Sequence, residues 1–528
     1  MKTLRFLFAL FFVFATSESV TFAQEFVQGY VYEDLQNTGQ RDSGDPGIAG
    51  VMVSNQRDVV LTDENGFYRL PIEEEMIVFV TKPAAYQFPL NGFNIPQFYY
   101  IHQPQGSPEL NFAGVEPTGP LPESVDFGLI PSEKKDSFTA IIYGDPQPAN
   151  HRELDFYRDG VVSELAGLQA DMFIPLGDIV FDNLNLFGRY NEIMAVLDTP
   201  VFNIIGNHDI NFDAGGNRFA RETFKRHYGP SYYSFDEGDV HFIAIDNVDY
   251  LGYNEEGNSQ YVGNIRPEQL EWIANNLEHV PDDKLIVLMA HIPLYAPGRD
   301  DSPTLKTNDR LKLIELLEPF DRVLFVGGHV HTIFHSFLGE EFGRMNPNPI
   351  HQHLTAAASG SWWKGPLTKN GIPVTTQRDG TPNGYHIYQF DGNSYTDLFK
   401  PAGLPDDYQM RIEMPQSQFS VDSISEQEIR VNVFNGSEKS EVKFRINDGE
   451  WQEMERLDLA ISTFFSEMRE EHDDTFLSWI QPINTTHIWK APFPADTGTG
   501  THRLEIHTRD MFGQEFTQTK VLEILSIE

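Results

Sequence analysis

The sequence predicts an α/β protein whose central domain is flanked by two β-sandwich-like domains. The 528 residues are enough for three or four domains of ordinary size. Between residues 136 and 345, apolar strands alternate with helical patterns, as is typical of βαβ units. Residues 24–132 and 350–528 instead show short apolar runs separated by turn residues, which favours β-sheet.

The composition indicates a folded and strongly acidic protein. Asp and Glu number 78 against 38 Lys and Arg, and the formal net charge is −40. This charge argues against nucleic acid as a partner, because binding to a phosphate backbone needs a basic face. The chain has no Cys, which excludes disulfides, thiolate catalysis and Cys-ligated metals. Any metal must therefore be bound by His, Asp, Glu, Asn or Gln.

Residues 1–23 have the order of a secretory signal peptide. Lys2 and Arg5 precede an apolar run at 6–15, and Ala23 marks the expected cleavage site. The run is shorter than the roughly 20 residues that span a bilayer, so a retained membrane anchor is the weaker alternative. We expect a secreted or periplasmic product; the sequence does not predict its oligomeric state.

The acidic segment 34–45 could offer carboxylate and carbonyl oxygens to a calcium ion in the N-terminal domain. An ordinary acidic turn is the alternative. Together with residues 62–68, this segment resembles the prealbumin-like modules of bacterial surface proteins, and the resemblance implies a spacer.

The central pattern predicts six strands and five helices. The predicted strands are 138–143, 171–176, 201–205, 240–245, 285–290 and 323–326. The predicted helices are 152–168, 187–197, 217–227, 267–277 and 308–318. A C-terminal strand is predicted at 386–390. Ligands of open α/β sheets collect at the carboxyl ends of strands, so polar residues that follow the strands mark the candidate site.

Five polar clusters occur at these strand ends. They are Gly144-Asp145-Pro146-Gln147, Gly177-Asp178-Ile179-Val180-Phe181-Asp182, Gly206-Asn207-His208-Asp209, Ala290-His291-Ile292-Pro293 and Gly327-Gly328-His329-Val330-His331. Singly, such an Asp is usually a turn former and such a His a surface or satisfied core residue. Together they form a mixed oxygen and imidazole set that suits two divalent cations, which can promote phosphoryl transfer.

The spacing within two clusters predicts a local backbone conformation. His329 and His331 are two residues apart, as are Asp145 and Gln147, so an extended backbone would direct both members of each pair to one side. Glycines before several of these residues would leave room for ions and substrate.

These clusters resemble the motifs of the calcineurin-like metallophosphoesterase superfamily: D-x-H, G-D-x-x-x-D, G-N-H-[DE], H and G-H-x-H. Residues 206–209 and 328–331 are the most specific matches. The resemblance covers the central domain and implies a four-layer α/β/β/α sandwich. The flanks resemble the β-domains of a secreted bacterial branch, with residues 357–363 opening the C-terminal one.

The resemblance also implies a role for each matching residue. The implied ligands of the first metal are Asp145, Gln147 and His331. Those of the second metal are Asn207, His291 and His329. Asp178 would bridge both metals. The resemblance implies that a bridging hydroxide attacks phosphorus and that His208 donates a proton or stabilises charge. Asp209 would orient His208, and Asp182 would stabilise the loop.

Gln147 departs from the usual motif, which has His at this position, although a subset of the superfamily carries Asp-Pro-Gln. An amide oxygen is harder than imidazole, so we expect the first site to prefer Mn²⁺, Mg²⁺ or Fe over Zn²⁺, with Mn²⁺ preferred. Alternatively, Gln147 only hydrogen-bonds a metal-bound water.

Several further residues could line the pocket but are not among the core predictions. They are His151, Arg152, Asp246, His335, His351, His353, Trp362 and Trp363. For the two tryptophans, packing at a domain interface competes with an aromatic rim for a base or sugar.

We therefore expect a secreted dimetal phosphoesterase for small soluble phosphomonoesters or phosphodiesters. The loops at 249–263 and 296–308 would select the leaving group. One alternative is a surface binding protein with an inactive central domain, and Gln147 is its main support. Another is metal-dependent hydrolysis of a non-phosphate bond.

Overall fold

The computed structural model describes residues 26–414 and 416–526. The predicted signal peptide at 1–23 lies outside these residues. Within the described ranges, no helix combines the length and the apolar character that crossing a bilayer requires.

The N-terminal region forms two four-stranded sheets. The first contains, in order across the sheet, Phe67–Pro71, Phe26–Glu33, Phe127–Pro131 and Tyr86–Gln87. The second contains Val59–Leu61, Met52–Ser54, Met76–Thr81 and Tyr99–His102. Buried side chains of both sheets belong to one hydrophobic core, as the alternating apolar pattern predicts.

The acidic segment 34–45 uses its buried carboxylates to bind its own backbone. Asp34 accepts hydrogen bonds from the N–H groups of Thr38 at 2.9 Å and Gly39 at 2.7 Å. Asp45 accepts one from the N–H of Asp42 at 2.8 Å. Hydrogen bonds of this kind, from backbone N–H groups to a nearby carboxylate, stabilise a turn, and they favour the acidic turn over a calcium site.

Two mixed sheets form the centre of the molecule. One contains Met172–Pro175, Ser137–Tyr143, Gly384–Asp391 and Ser394–Pro401. The other contains Tyr233–Glu237, Val240–Ile245, Leu285–Ala290, Arg322–Gly327, Ile350–Leu354 and Phe334–Leu338. The strands from 240 to 327 pair in parallel, and their residues are almost all buried because both faces of this sheet are covered.

Helices cover the outer faces of the two sheets. On the first sheet lie His151–Tyr157, a π-helical turn at Arg158–Val162, Ser163–Leu165, Phe187–Met194 and Glu222–Tyr228. On the second lie Pro267–Leu277, which begins with a proline at its first turn, and Arg310–Leu316. Short 3₁₀ turns occur at Leu184–Leu186, Ala195–Leu197, Phe212–Ala214, Asn217–Phe219 and Glu340–Phe342. The α/β fold with flanking β-rich regions is confirmed.

One predicted helix and two predicted strands differ from the structure. The stretch 217–227 is not one helix, because it forms a 3₁₀ turn at Asn217–Phe219 and a separate helix at Glu222–Tyr228. The stretch 201–205 is not a strand: Val201 and Ile204 make only isolated bridges to Phe173 and Leu176. The strand predicted at 386–390 exists, but it pairs with Ser137–Tyr143 instead of with the C-terminal sheets. The sheets therefore do not divide at the predicted boundary near residue 350, because the central sheets continue to Pro401.

The C-terminal region forms two further sheets. One contains Met410–Ile412, Glu428–Val433, Ile488–Pro492 and Glu455–Arg456. The other contains Gln418–Ser420, Glu515–Leu525, Gly500–Arg509, Glu441–Ile446 and Gln452–Glu453. A short hairpin pairs Ala460–Ile461 with Asn484–Thr485, and between its strands lie the helix Thr463–Glu471 and a 3₁₀ turn at Asp473–Thr475. A short 3₁₀ helix also spans Val421–Glu426. This hairpin and the helix inside it extend from the C-terminal sheets toward the strand-end loops of the centre.

Candidate active site

The seven candidate ligands lie together at the strand ends of the two central sheets. Asp145 follows the strand Ser137–Tyr143, and His291 follows Leu285–Ala290. All seven are buried except His329, which is half-buried. Their proximity follows from topology, because the loops after these strands open on the same side of the sheets.

The backbone at the site is left-handed, so the expectation of extended pairs is wrong. The φ angles of the five affected ligands are 53° for Asp145, 47° for Gln147, 50° for Asp178, 75° for His329 and 52° for His331. Such angles are unfavourable for residues other than glycine and persist only where the surroundings enforce them. The loops bind one another here, since the N–H of Gln147 donates to the carbonyl of Asp178 at 2.9 Å.

Two glycines are required by close approach of neighbouring loops. A Cβ atom on Gly206 would lie 2.1 Å from the backbone nitrogen of Asp178. A Cβ atom on Gly328 would lie 2.7 Å from the Asp145 carboxylate. These positions agree with the expectation that glycine leaves room in this region.

The contacts among the ligands follow the division into two metal sites. Nε2 of His331 lies 3.4 Å from the carboxylate of Asp145. Nε2 of His291 lies 3.1 Å from Oδ1 of Asn207 and 3.2 Å from the carboxylate of Asp178. The amide of Gln147 donates to Asp178 at 2.9 Å, so Asp178 contacts members of both groups, as a bridging ligand must.

Backbone carbonyls fix one ring nitrogen of each candidate histidine ligand. Nδ1 of His291 lies 2.8 Å from the carbonyl of Leu176, and Nε2 of His329 lies 2.9 Å from that of Thr304. Nδ1 of His331 lies 2.5 Å from the carbonyl of Gly360. Since a carbonyl can only accept, each of these nitrogens carries the proton, and the other nitrogen offers a lone pair to the site.

The free nitrogens of two of these rings face each other. Nε2 of His291 and Nδ1 of His329 are 3.1 Å apart, and two lone pairs at this distance repel. Either a proton on His291 or a cation between the rings relieves the repulsion. In addition, Oε1 of Gln147 is buried without a hydrogen-bond partner among the described residues. An unpaired carbonyl oxygen beside converging lone pairs fits divalent cations.

The charges at the site shift the pKa values of its ligands in opposite directions. Burial would lower the pKa of His291, but the carboxylate of Asp178 outweighs it and raises this pKa to about 9. Burial and the charge of His291 lower the pKa of His329 to about 3. Burial would raise the pKa of Asp178, yet nearby histidines, foremost His291, hold it below its usual range. The carboxylate of Asp178 therefore favours positive charge beside it, which either a proton on His291 or a bound cation supplies.

His208 is oriented by Asp182, so the role expected for Asp209 is wrong. Nδ1 of His208 lies 2.6 Å from Oδ1 of Asp182, and the ring stacks on Phe181 at a centroid distance of 4.3 Å. Nε2 lies 4.0 Å from the carboxylate of Asp178. Burial lowers the pKa of His208, but Asp178 and Asp182 outweigh it, so the net shift is upward.

Asp209 instead supports the loop that carries Asp178. Its carboxylate accepts hydrogen bonds from the backbone N–H groups of Ile179 at 3.1 Å, Val180 at 3.1 Å and Gly206 at 2.8 Å. Burial and the charge of Asp178 raise the pKa of Asp209 to about 7. All its contacts are to backbone, which sequence spacing alone does not predict.

The remaining histidine and aspartate candidates lie outside the ligand cluster. Asp246 is buried in ion pairs with Arg221 at 2.8 Å and Arg266 at 3.2 Å. His335, His351 and His353 belong to a separate buried network, whose other members include Tyr388, Tyr395, Asp397 and Asn435. His151 and Arg152 are exposed at the start of a helix.

The two tryptophans have different environments. Trp363 is buried and donates from Nε1 to the carbonyl of Pro146 at 2.8 Å. This environment agrees with a packing role for Trp363 and not with an aromatic rim. Trp362 stacks on the ring of His331 at a centroid distance of 3.8 Å and therefore borders the site.

Two neighbours of the ligands were not singled out in the sequence. The ring of Tyr261 lies 6.1 Å from that of His329, and the carbonyl of Thr304 binds the same histidine. Tyr261 lies in the strand Ser259–Gly263, which pairs antiparallel with Val248–Tyr253, so the stretch predicted as a loop at 249–263 is a β-hairpin. Thr304 lies in the predicted loop at 296–308. In the sequence, the length of these two stretches after a strand end indicated that they reach the site. Length alone does not identify which of their residues contact the ligands.

Three family models match consecutive parts of the chain. Residues 138–332 match the model described as "Calcineurin-like phosphoesterase". Residues 35–116 match "N terminal of Calcineurin-like phosphoesterase", and residues 352–516 match "C terminal of Calcineurin-like phosphoesterase". The matches include the central motifs and both flanks.

Curated relatives share the central region. A "probable glycerophosphodiester phosphodiesterase" of Arcobacter nitrofigilis is 26% identical over 189 residues, which are 35% of this chain and 65% of the relative. A "probable inactive purple acid phosphatase 9" of Arabidopsis thaliana is 28% identical over 192 residues, which are 32% of this chain and 26% of the relative. The chain thus spans less than two thirds of the length of either relative.

A solved structure of purple acid phosphatase from yellow lupin (Lupinus luteus) seeds is also similar. The match has 12% identity and a TM-score of 0.37, and it covers 71% of this chain and 66% of the other.

The separate roles of Asp209 and Asp182 predict different effects on stability. We expect Asp209→Asn to lower the free energy of unfolding by about 2 kcal/mol, because the new amide N–H faces buried backbone donors. The matched variant Asp182→Asn should cost less than about 1 kcal/mol, since Asp182 is half-exposed and, within the described part of the chain, its side chain hydrogen-bonds only the His208 ring. Denaturant unfolding of both variants measures the difference; equal losses would contradict the assignment.

Proposed function

Because the chain belongs to the calcineurin-like phosphoesterase family, we propose that it hydrolyses phosphate esters with the help of two divalent cations. The first cation would be held by Asp145, Gln147 and His331. The second would be held by the set Asn207, His291 and His329. Asp178 would contact both cations.

One observation carries this proposal: each of the three histidines has one ring nitrogen fixed by a backbone carbonyl and the other turned into the ligand cluster. This second nitrogen faces a carboxylate in His291 and His331, and it faces the ring of His291 in His329. A ring fixed in this way is a prepared metal ligand, because its tautomer and orientation need no adjustment on binding. A surface binding protein would have no use for such an arrangement. The complete set therefore also argues against the alternative of an inactive central domain.

Two such cations supply Lewis-acid charge and activated water for displacement at phosphorus. The protein's own contribution to proton transfer is His208. Asp182 holds its Nδ1, and the ring is 22% exposed, so Nε2 can reach a bound ester. We propose that this nitrogen gives a proton to the leaving oxygen or stabilises the charge that develops there.

For the substrate, we propose small soluble phosphomonoesters or phosphodiesters. The relatives carry names of both kinds, a probable glycerophosphodiester phosphodiesterase and a probable inactive purple acid phosphatase. A net charge of −40 disfavours long polyanions as substrates. The rates of hydrolysis of p-nitrophenyl phosphate and of bis(p-nitrophenyl) phosphate compare monoester with diester directly.

Two substitutions test the proposed chemistry. We expect Asp178→Asn to reduce Mn²⁺-supported hydrolysis of both esters to background, because the group that contacts both cations loses its charge. We expect His208→Ala to lower kcat by about 100-fold or more, since a positioned proton donor contributes about this much.

The control for this assay is His279→Ala, which changes an exposed histidine remote from the site. It should leave the rates unchanged. A His208→Ala protein with the activity of the wild type would contradict the assigned proton donor, and activity in Asp178→Asn would contradict the dimetal centre.

Gln147 predicts the metal preference. We propose that the wild type favours Mn²⁺, Mg²⁺ or Fe at the first site and that Gln147→His raises its preference for Zn²⁺ over Mn²⁺ by about tenfold, because imidazole is the softer ligand. Metal content after dialysis against equal Zn²⁺ and Mn²⁺ measures this, with the exposed Gln418→His as control. Two tightly held zinc ions in the wild type would contradict the prediction.

We also propose that residues 1–23 direct export and are removed. The order of charged, apolar and small residues supports this. Expression of the full chain in a bacterium should give a periplasmic or released protein whose N-terminal residue is Gln24. A cytoplasmic protein that retains residues 1–23 would contradict it.

A further inference from the structure

Three imidazole rings of the candidate site each have an aromatic side chain against them. The pairs, with the distances between their ring centroids, are Trp362 on His331 at 3.8 Å, Phe181 on His208 at 4.3 Å and Tyr261 beside His329 at 6.1 Å. All three aromatic side chains are half-buried, so each keeps part of its surface open to solvent. The candidate metal centre is therefore bordered by aromatic surface on more than one side.

The backbone of Trp362 is strained. Its φ angle of 55° is in the left-handed region, which is unfavourable for a bulky side chain. Two contacts of neighbouring residues hold this turn: the indole of Trp363 donates to the carbonyl of Pro146, and Oγ of Ser361 donates to the carbonyl of Thr376 at 2.6 Å. The chain thus maintains an unfavourable conformation that places the Trp362 ring on His331.

A second tryptophan extends this aromatic surface to solvent. The ring of Trp479 meets that of Trp362 edge to face at a centroid distance of 4.4 Å, so that only the Trp362 ring separates Trp479 from a candidate ligand. Trp479 is 48% exposed. It lies between the two strands of the hairpin that extends from the C-terminal sheets. Trp362 packs against the small apolar core inside that hairpin, whose members are Phe465, Met468, Phe476 and Ile480.

The chain next to this hairpin also reaches the surroundings of the second candidate metal. A Cβ atom on Gly298 would lie 3.1 Å from Cδ1 of Leu459, which immediately precedes the hairpin. Gly298 belongs to the loop at 296–308, in which the carbonyl of Thr304 fixes the ring of His329. The hairpin region is therefore held beside the candidate centre by contacts near both His329 and His331.

Selection among phosphoesters must come from the groups around the metal centre, because every such ester carries the phosphoryl group that the metals bind. Binding sites for small molecules combine a few polar groups with apolar and aromatic walls. An aromatic ring binds a second flat ring by stacking or by an edge-to-face contact. An exposed tryptophan linked to a metal ligand by ring contacts therefore favours substrates that carry a flat ring.

We propose that Trp362 and Trp479 bind a planar aromatic group, an aryl ring or a nucleobase, of the substrate whose phosphoryl group occupies the metal centre. This inference rests on the proposed function and narrows its substrate class to phosphoesters with an aromatic ring. Trp479 supplies the exposed surface for the ring, and Trp362 holds Trp479 next to His331. Phe181 and Tyr261 add apolar surface beside the other two histidines.

The first test measures binding without turnover. In calorimetric titration of the Mn²⁺-loaded full chain, phenylphosphonate should bind more tightly than methylphosphonate, and neither is hydrolysed. In Trp479→Ala the ratio of the two affinities should fall by about fivefold, as expected for loss of one aromatic contact. Trp479→Phe should retain part of the preference, because it keeps a flat ring.

The matched control is Trp451→Ala. This tryptophan is 39% exposed and packs against His507 in a C-terminal sheet. The substitution removes an exposed indole of similar accessibility, and the affinities for both phosphonates should stay unchanged.

The second test uses turnover to distinguish an aryl ring from a nucleobase. One pair of esters is ethyl phosphate and 2-phenylethyl phosphate, whose alcohols have nearly the same acidity; the other is ribose 5-phosphate and uridine 5′-monophosphate. The ratio of kcat/KM for the ester with the ring to that for the plain ester should exceed one in at least one pair. The pair with the larger ratio identifies the kind of ring, and Trp479→Ala should lower that ratio.

The outcomes separate this inference from the proposed function. Equal affinity of the wild type for the two phosphonates, or a preference that persists in Trp479→Ala, would overturn the role of the tryptophans. Failure to hydrolyse any ester, together with a preference for phenylphosphonate that Trp479→Ala loses, would contradict the proposed function and leave the aromatic subsite supported.

Discussion

The buried carboxylate of Asp178 is the contact on which the site depends. Its oxygens accept hydrogen bonds from the N–H of His208 and from the amide of Gln147, and they lie against the ring of His291. A carboxylate removed from water needs such compensation, because an unpaired buried charge costs several kcal/mol. The groups that compensate the buried charge of Asp178 come from loops that follow different strands. Assembly of the site is therefore the same event as packing of the two central sheets.

The strained loops persist because the surrounding structure holds them. Left-handed backbone at residues such as Asp145 and His329 is unfavourable in isolation, and the cost is met by contacts that only the folded sheets provide. Asp209 shows how: its carboxylate binds three backbone N–H groups around Asp178. Rigid support of this kind keeps the histidine lone pairs converged, which lowers the reorganisation that cation binding would require.

The sequence predicted most of the central strands, the helix Pro267–Leu277 and the convergence of the five polar clusters, because periodicity and strand-end motifs are local signals. It did not predict the left-handed turns, since the spacing of Asp145 and Gln147 is compatible with several backbone conformations. The partner of His208 was also missed: Asp209 is its neighbour in sequence, whereas Asp182 lies 26 residues earlier and reaches the ring only in the folded protein. The strand Gly384–Asp391 was placed in the wrong sheet, because its pairing partner lies about 250 residues earlier.

The C-terminal part of the chain is built into the site and cannot be regarded as an appended module. The carbonyl of Gly360 fixes the ring of His331, and the N–H of Ser359 donates to the carbonyl of Asp145 at 3.0 Å. The indole of Trp363 binds the carbonyl of Pro146 in the same loop. Residues beyond the fifth motif therefore set the geometry of the first one. The ring of Trp479, in a later segment, meets Trp362, which in turn stacks on His331. A change in the C-terminal region can thus alter the site without changing any metal ligand, because the ligands depend on contacts from that region.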